Sequence, residues 1–325
     1  MTPRERFLET MRFGRPERPP RFDEGVQEDT VTEWESQGLP KGANLAEMFG
    51  YDRREDVPVD IGPRPWFEGV PKDRKDLEEF RKRLDPDDPG RFPKDWADKA
   101  KAWKGRGHVL QMNVQRGFFL TMGVGDWAGF DRLMDLFADD PGLIEEWMGA
   151  VGTLSARLAA RVLSDVVPDI AVISEPIAST AGPMLSPRMY SRFALAAYRP
   201  VIRTLRDGGV PVVCVTTWAN ARPLLKSMVE AGINCLMANE DQSGEMDYRA
   251  VRKEFGRDLR LIGGIDVDAI LAGEKAILGE FEGKVKPLIA GGGYVPLADG
   301  RIRANCPLAN YSFYRKNLLA GDTGR

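Results

Sequence analysis

Histidine is almost absent from this chain of 325 residues, with His108 the only one, and cysteine is scarce, with Cys214, Cys235 and Cys306 the whole supply. A single histidine removes histidine-rich metal sites and argues against a Ser-His-Asp triad. His108 also opens an apolar run, which places it at the start of a strand, where a structural role is expected. Three cysteines without close spacing leave an odd thiol and build no disulfide framework. Cys214 and Cys235 fall in expected strands, where buried structural thiols are common. Neither GxGxxG nor GxxxxGK[ST] occurs, so a glycine-rich nucleotide loop is missing. No apolar stretch reaches the ~18–20 residues of a membrane span. The opening MTPRERFLETMRFG lacks the apolar core of a signal peptide, which sets the expectation of a cytoplasmic protein without a membrane partner. The net charge of −3 supplies no excess of base for a nucleic acid. No short fixed-period repeat is present, which excludes a solenoid.

What is present describes an ordinary globular protein, 42% hydrophobic and 29% charged. Four times in the second half a short apolar run stops in polar residues and a helical pattern follows. The runs are Asp169–Ile173 ending at Glu175, Val210–Val215 ending at Thr216–Asn220, Cys235–Ala238 ending at Asn239–Glu240, and Leu259–Ile262 ending at Gly263–Asp266. Earlier and later strands are expected at His108–Val114 and Gly293–Val295. Strand, polar tip and helix in alternation is the signature of a parallel α/β protein, read here as a (β/α)8 TIM barrel with an N-terminal helical elaboration. The reading takes 1–325 as one domain, with 1–105 as the elaboration and 106–325 as the barrel core. Thr2, Pro3 and Glu5 mark a capped helix start. Further helices are expected at Val26–Gln37, Lys72–Arg83, Lys94–Trp103, Asp131–Phe137, Gly142–Leu163, Pro187–Arg206, Ala221–Ala231, Tyr248–Phe255, Val267–Ala290 with a break at Gly273, and Leu308–Leu319.

In such barrels the C-terminal strand ends carry the chemistry, so the tips nominate a site. Glu175, in ISEPIAST, fits a general acid or base, a metal ligand or a substrate-orienting acceptor; a salt-bridged rim carboxylate is the plain alternative. Thr216, Thr217, Trp218 and Asn220 can hold a polar planar ligand, although Asn220 equally fits a helix cap. Asp266 follows two glycines that permit close backbone approach or positive φ, and it too fits an N-cap. Glu240 lies in an acidic stretch that fits solvated surface as well as substrate contact. In GGGYVPLADGRI, Tyr294, Asp299 and Arg301 are candidates at a mouth, and Gly291–Gly293 either bind an anion through their amides or form a tight turn.

The segments TPRERFLETMRFGRPERPP, SEPIASTAGPMLSPRMYSRFALAAYRPVI, EAGINCLMANE, LIGGID, GGGYVPLADGRI and NYSFYRKNL, in that order, are similar to the uroporphyrinogen decarboxylase superfamily. The resemblance implies a single (β/α)8 barrel and one of two activities: decarboxylation of porphyrinogen acetate arms, or methyl transfer involving a corrinoid protein. Two departures bear on the choice. The arginine-rich segment of the RQAGR type that grips porphyrinogen carboxylates is replaced by PPRFDEGVQEDT, with Arg21 its one arginine. The His-x-Cys-Gly-Asn zinc motif is replaced by Thr216-Thr217-Trp218-Ala219-Asn220, which retains only the asparagine. Zinc is therefore not expected, although another set, for example Glu175, Asp266 and Cys306, could hold it. The resemblance favours corrinoid-linked methyl transfer on a small-molecule substrate. Glu175 would serve as acid or ligand, Asp266 as a structural or substrate-positioning carboxylate, Thr216 and Asn220 as orienting groups, and the corrinoid would sit on a partner protein. The second reading is decarboxylation, with Arg116 or Arg301 clamping a substrate carboxylate. The third is a non-catalytic binding descendant.

Overall fold

The computed structural model describes residues 1–239 and 246–320. In chain order its main elements are helix α1 (Pro3–Met11), strand β1 (Val109–Gln115), helices α2 (Trp127–Asp139) and α3 (Pro141–Asp165), strand β2 (Ile170–Glu175), helix α4 (Ala196–Asp207), strands β3 (Val212–Trp218) and β4 (Cys235–Asn239), helix α5 (Tyr248–Phe255), strand β5 (Arg260–Ile265), helix α6 (Val267–Ala272), strand β6 (Tyr294–Ala298) and helix α7 (Leu308–Ala320). Each expected second-half strand is present and extended at its end; the one at Cys235 starts where expected and the others start one or two residues later. The sequence is α/β, and it folds into two compact units: Met1–Arg54 with Gly107–Val109 and Cys235–Arg325, and Glu55–Arg106 with Leu110–Asn234.

In the Glu55–Asn234 unit the strands are parallel. Asn113 pairs with Val172, and β2 runs in unbroken register with β3 from Ile170–Val212 to Glu175–Thr217. β2 and β3 are apolar until their last two or three residues, as strands covered on both faces must be, whereas β1 carries Gln111, Asn113 and Gln115 in alternation with apolar residues. Helix α3 starts on Pro141 with Asp140 capping Leu143 N, and buries Leu143, Ile144, Trp147, Met148 and Leu158. Phe80 stacks on Trp147 at 3.7 Å, which ties the Arg74–Lys82 helix to α3. The region expected to follow β2 as one helix, 187–206, is helical but irregular. A π-helical segment, Tyr190–Leu195, precedes α4.

In the other unit β4, β5 and β6 are parallel, with Ala238 opposite Gly263 and Ile265 opposite Ala298. Helix α1 carries the expected capping box, the Thr2 hydroxyl accepting from Glu5 N and Glu5 accepting from Thr2 N. The chain from Phe22 to Tyr51 is stitched to the C-terminal segment. Thr30 donates to Ile302 O, Trp34 to Cys306 O, and Arg315 to Phe22 O and Phe49 O. Asp23 accepts from Tyr311 at 2.8 Å and lies 3.4 Å from Arg315, inside this apolar seam. Gly273 breaks the long helix at φ +98 as expected, and a π-helical segment, Phe281–Val285, follows. Among the described residues no helix is long and apolar enough to cross a membrane.

Candidate functional site

Glu175 ends β2 with none of its surface exposed. Its Oε1 accepts from Phe118 N at 2.9 Å, and its Oε2 accepts from the hydroxyls of Tyr198 at 2.8 Å and Tyr190 at 3.3 Å. Burial pushes the carboxyl up to about 7, and the three donors only partly counter it. The Phe118 amide reaches Glu175 because the preceding turn passes close to β2. Gly117 stands at φ +88, where a Cβ would come 2.6 Å from Ser174 O and 3.0 Å from the carboxylate. Glycine is required there on both grounds. Glu175 thus fixes the turn that follows β1.

That turn carries Arg116. Its guanidinium lies 4.5 Å from the centroid of Trp66, which is 47% exposed, at the lip of a cleft. Phe67, Phe80 and Trp147 line the cleft, with Leu120 and Thr121 beside them, and it encloses a cavity of about 30 Å³. Gln115 also lines it; its Nε2 donates to Ser155 at 3.0 Å, and its buried Oε1 has no partner among the described residues. An aromatic wall with a cation at the lip suits a partly apolar anion.

At the end of β3, Thr216 and Trp218 are half-buried and Thr217 is buried, its Oγ1 without a partner among the described residues. Ala219 turns the chain at φ +52, and the Asn220 side chain accepts from Arg222 N at 3.3 Å. Asn220 therefore caps the next turn, the plainer of its two expected roles.

In the other unit Asp266 is exposed and caps α6, accepting from Asp268 N at 2.8 Å. Asp299, nearly buried at the tip of β6, accepts from Val267 N at 3.1 Å. Both line a polar cavity of about 320 Å³ with Asp247, Asp268, Arg249 and Lys284. Gly263 and Gly264 take φ +99 and +76, the positive values their sequence allowed. At Gly264 a Cβ would come 2.6 Å from the Tyr248 ring. Tyr294 is placed away from this mouth. It begins β6, is buried, and donates its hydroxyl to Gly263 O at 2.9 Å. Arg301 is exposed and donates to Val26 O at 2.7 Å. Glu240 lies outside the described residues. The Gly291–Gly293 amides form no anion cradle: Gly292 N is held by Ile289 O and Gly293 N by Thr10 O, so the tight turn is the correct reading.

The structure thus brings Asp266 and Asp299 to one cavity and places Arg116 two residues from the amide that Glu175 holds. Zinc does not fit the residues at the Thr216–Asn220 tip. The Thr216–Asn220 tip offers hydroxyls, an indole and an amide where an imidazole and a thiolate would be needed. Among the described residues no three His, Cys, Asp or Glu side chains are grouped to hold a metal. Sequence reasoning missed Tyr190, Tyr198, Trp66 and Gln115. The two tyrosines carried a usable signal, lying eight residues apart in the helical segment after the Glu175 tip. Trp66 carried none.

The family model described as uroporphyrinogen decarboxylase (URO-D) matches residues 120–300. No curated protein matches the sequence. Among solved structures, a methyltransferase from Methanosarcina mazei superposes with a TM-score of 0.63 at 16% identity, covering 99% of this chain and 98% of its own, and shares its fold. A putative vitamin-B12 independent methionine synthase from Listeria monocytogenes covers 94% of each chain at 11% identity, with a TM-score of 0.43 too low to carry an argument.

Proposed function

The chain belongs to the uroporphyrinogen decarboxylase family, and from that premise we propose that it is a methyl-transfer enzyme acting on a small, partly apolar anion. The observation that carries this reading is the cleft beside β1, where Arg116 stacks on Trp66 above walls formed by Phe67, Phe80 and Trp147. Arg116 pairs with the anionic end of the substrate, and the exposed face of Trp66 at the lip packs against its body. Glu175 acts through the Phe118 amide as a positioning residue that holds the Arg116 turn, since its own carboxylate is enclosed. Asp266 and Asp299 shape the polar cavity at the other tips. A corrinoid on a separate protein would supply the nucleophilic cobalt of this chemistry. The closed (β/α)8 barrel, one domain over 1–325 with 1–105 as its elaboration, is part of the same proposal.

Decarboxylation is the second reading, and Arg116 favours it: a carboxylate drawn by that guanidinium into aromatic surroundings loses its hydration. Incubation with reduced cobalamin and a panel of small methylated and methoxylated acids separates the two. Formation of methylcobalamin, followed by absorbance, with a drop of about a hundredfold in kcat/KM for Arg116→Ala, is the expected result. Release of carbon dioxide without methylcobalamin would replace methyl transfer with decarboxylation, and absence of both products would remove both activities.

A further inference from the structure

Phe13 follows α1 at φ +61, a conformation that bulky residues rarely hold. Three guanidinium carbons surround its ring, those of Arg257 at 4.7 Å, Arg252 at 5.0 Å and Arg260 at 5.5 Å from the centroid. A ring has two faces, so at least two of the cations share one. Like charges brought together over one ring repel one another. Stacking on the ring attracts each cation singly and does not neutralise the others. No carboxylate forms an ion pair with any of the three among the described residues, in a chain with 49 acids and 46 bases. Burial, followed by the charges of Arg260 and Arg257, holds the Arg252 guanidinium below its usual range, with Cys235 acting the other way.

The cluster is built to stay in place. Arg252 donates to the carbonyls of Gly256, Leu259, Gly292 and Gly293, and Arg260 Nε to Met11 O. Arg257 is exposed and has no hydrogen-bond acceptor among the described residues. The residues come from three separate places: α5, the turn after it, and the first position of β5. A solvated helix face would not converge in this way. We infer that Arg252, Arg257 and Arg260 form a binding site for a doubly charged oxyanion of the phosphate class, at the strand-start end of the unit and away from the Asp266 and Asp299 tips. The anion supplies the charge the cluster lacks, Arg257 closing on it while Arg252 stays fixed by its carbonyls. This site is independent of the methyl-transfer reading.

Calorimetric titration of the full chain with inorganic phosphate, at constant ionic strength set with chloride, tests it. One saturable site is expected, with about tenfold weaker binding for both Arg257→Gln and Arg260→Gln. Arg203→Gln, on the exposed face of α4, serves as the charge control and should leave the affinity unchanged. Arg257 is exposed and makes no hydrogen bond among the described residues, so its substitution separates binding from folding. A parallel titration with glycerol phosphate distinguishes the source: tighter binding assigns the site to a phosphate ester, and equal affinity to free phosphate. Absence of saturable binding, or an equal loss in the Arg203→Gln control, would overturn the inference.

Discussion

The hydroxyl of Tyr198 is 2.8 Å from Glu175 Oε2, and neither side chain has any surface exposed to solvent. Burial drives both groups toward their neutral forms. The carboxyl is raised to about 7, and the Tyr198 hydroxyl is raised well above its usual range by burial and then by the Glu175 charge. The pair therefore changes protonation through the carboxyl alone in the physiological range.

The pH dependence of stability follows from that shift. Glu175 goes from an ordinary 4.5 unfolded to about 7 folded, so between those values the native state holds the extra proton. Its contribution is full below pH 4.5 and is lost as pH rises through 7, worth about 3 kcal/mol at ~1.4 kcal/mol per pH unit. Denaturant unfolding of the parent and of Glu175→Gln between pH 5 and 8 should diverge, the parent losing ground as pH rises. Parallel profiles would show that Glu175 does not titrate there.

Gly117→Ala should be costly for two separable reasons. Gly25 provides the comparison, because it has a similar φ of +86 and nothing within 4 Å of an added Cβ, whereas Gly117 at +88 meets Ser174 O at 2.6 Å. Gly25→Ala should cost about 1 kcal/mol from backbone strain alone, and Gly117→Ala at least ~2 kcal/mol. Gly117→Ala should also weaken ligand binding at Arg116. Equal stability losses in the two variants would mean that the turn moves freely away from β2.

Tyr248 closes the end of the β4–β5 ladder. Its hydroxyl accepts from Ala238 N at 2.8 Å and donates to Ile262 O at 2.6 Å. Tyr248→Phe leaves a buried amide without an acceptor and should destabilise by about 1–3 kcal/mol. Faster hydrogen exchange at the Ala238 amide is the local readout, and unchanged protection there would show that another acceptor takes over.

The strand tips were legible because each apolar run stops where the chain leaves the core. The ends were misjudged for a local reason: Thr216, Thr217 and Trp218 are themselves good strand formers, so β3 runs to Trp218 instead of stopping at Val215. The caps were legible as alternatives, since Asp and Asn at those positions serve a helix end or a ligand with the same atoms. The structure puts Asn220 on Arg222 N and Asp266 on Asp268 N. Tyr294 was expected at the mouth because the apolar run hides which end of the strand it occupies; it begins β6, and its hydroxyl is taken up by Gly263 O. The stacking of Arg116 on Trp66 and the three arginines around Phe13 join distant parts of the chain, and no local pattern encodes such pairings.

The seam between Asp23 and Arg315 joins residues 292 positions apart. During synthesis Phe22, Thr30 and Trp34 leave the ribosome long before the segment that satisfies them, since their partners lie at 302–315. Until then Trp34, Thr30 and Asp23 lack their acceptors and donors. The Glu55–Asn234 unit, by contrast, draws its strands and helices from one nearly continuous stretch. Vectorial translation therefore lets the middle of the chain organise first, while its opening residues wait for the last helix to arrive.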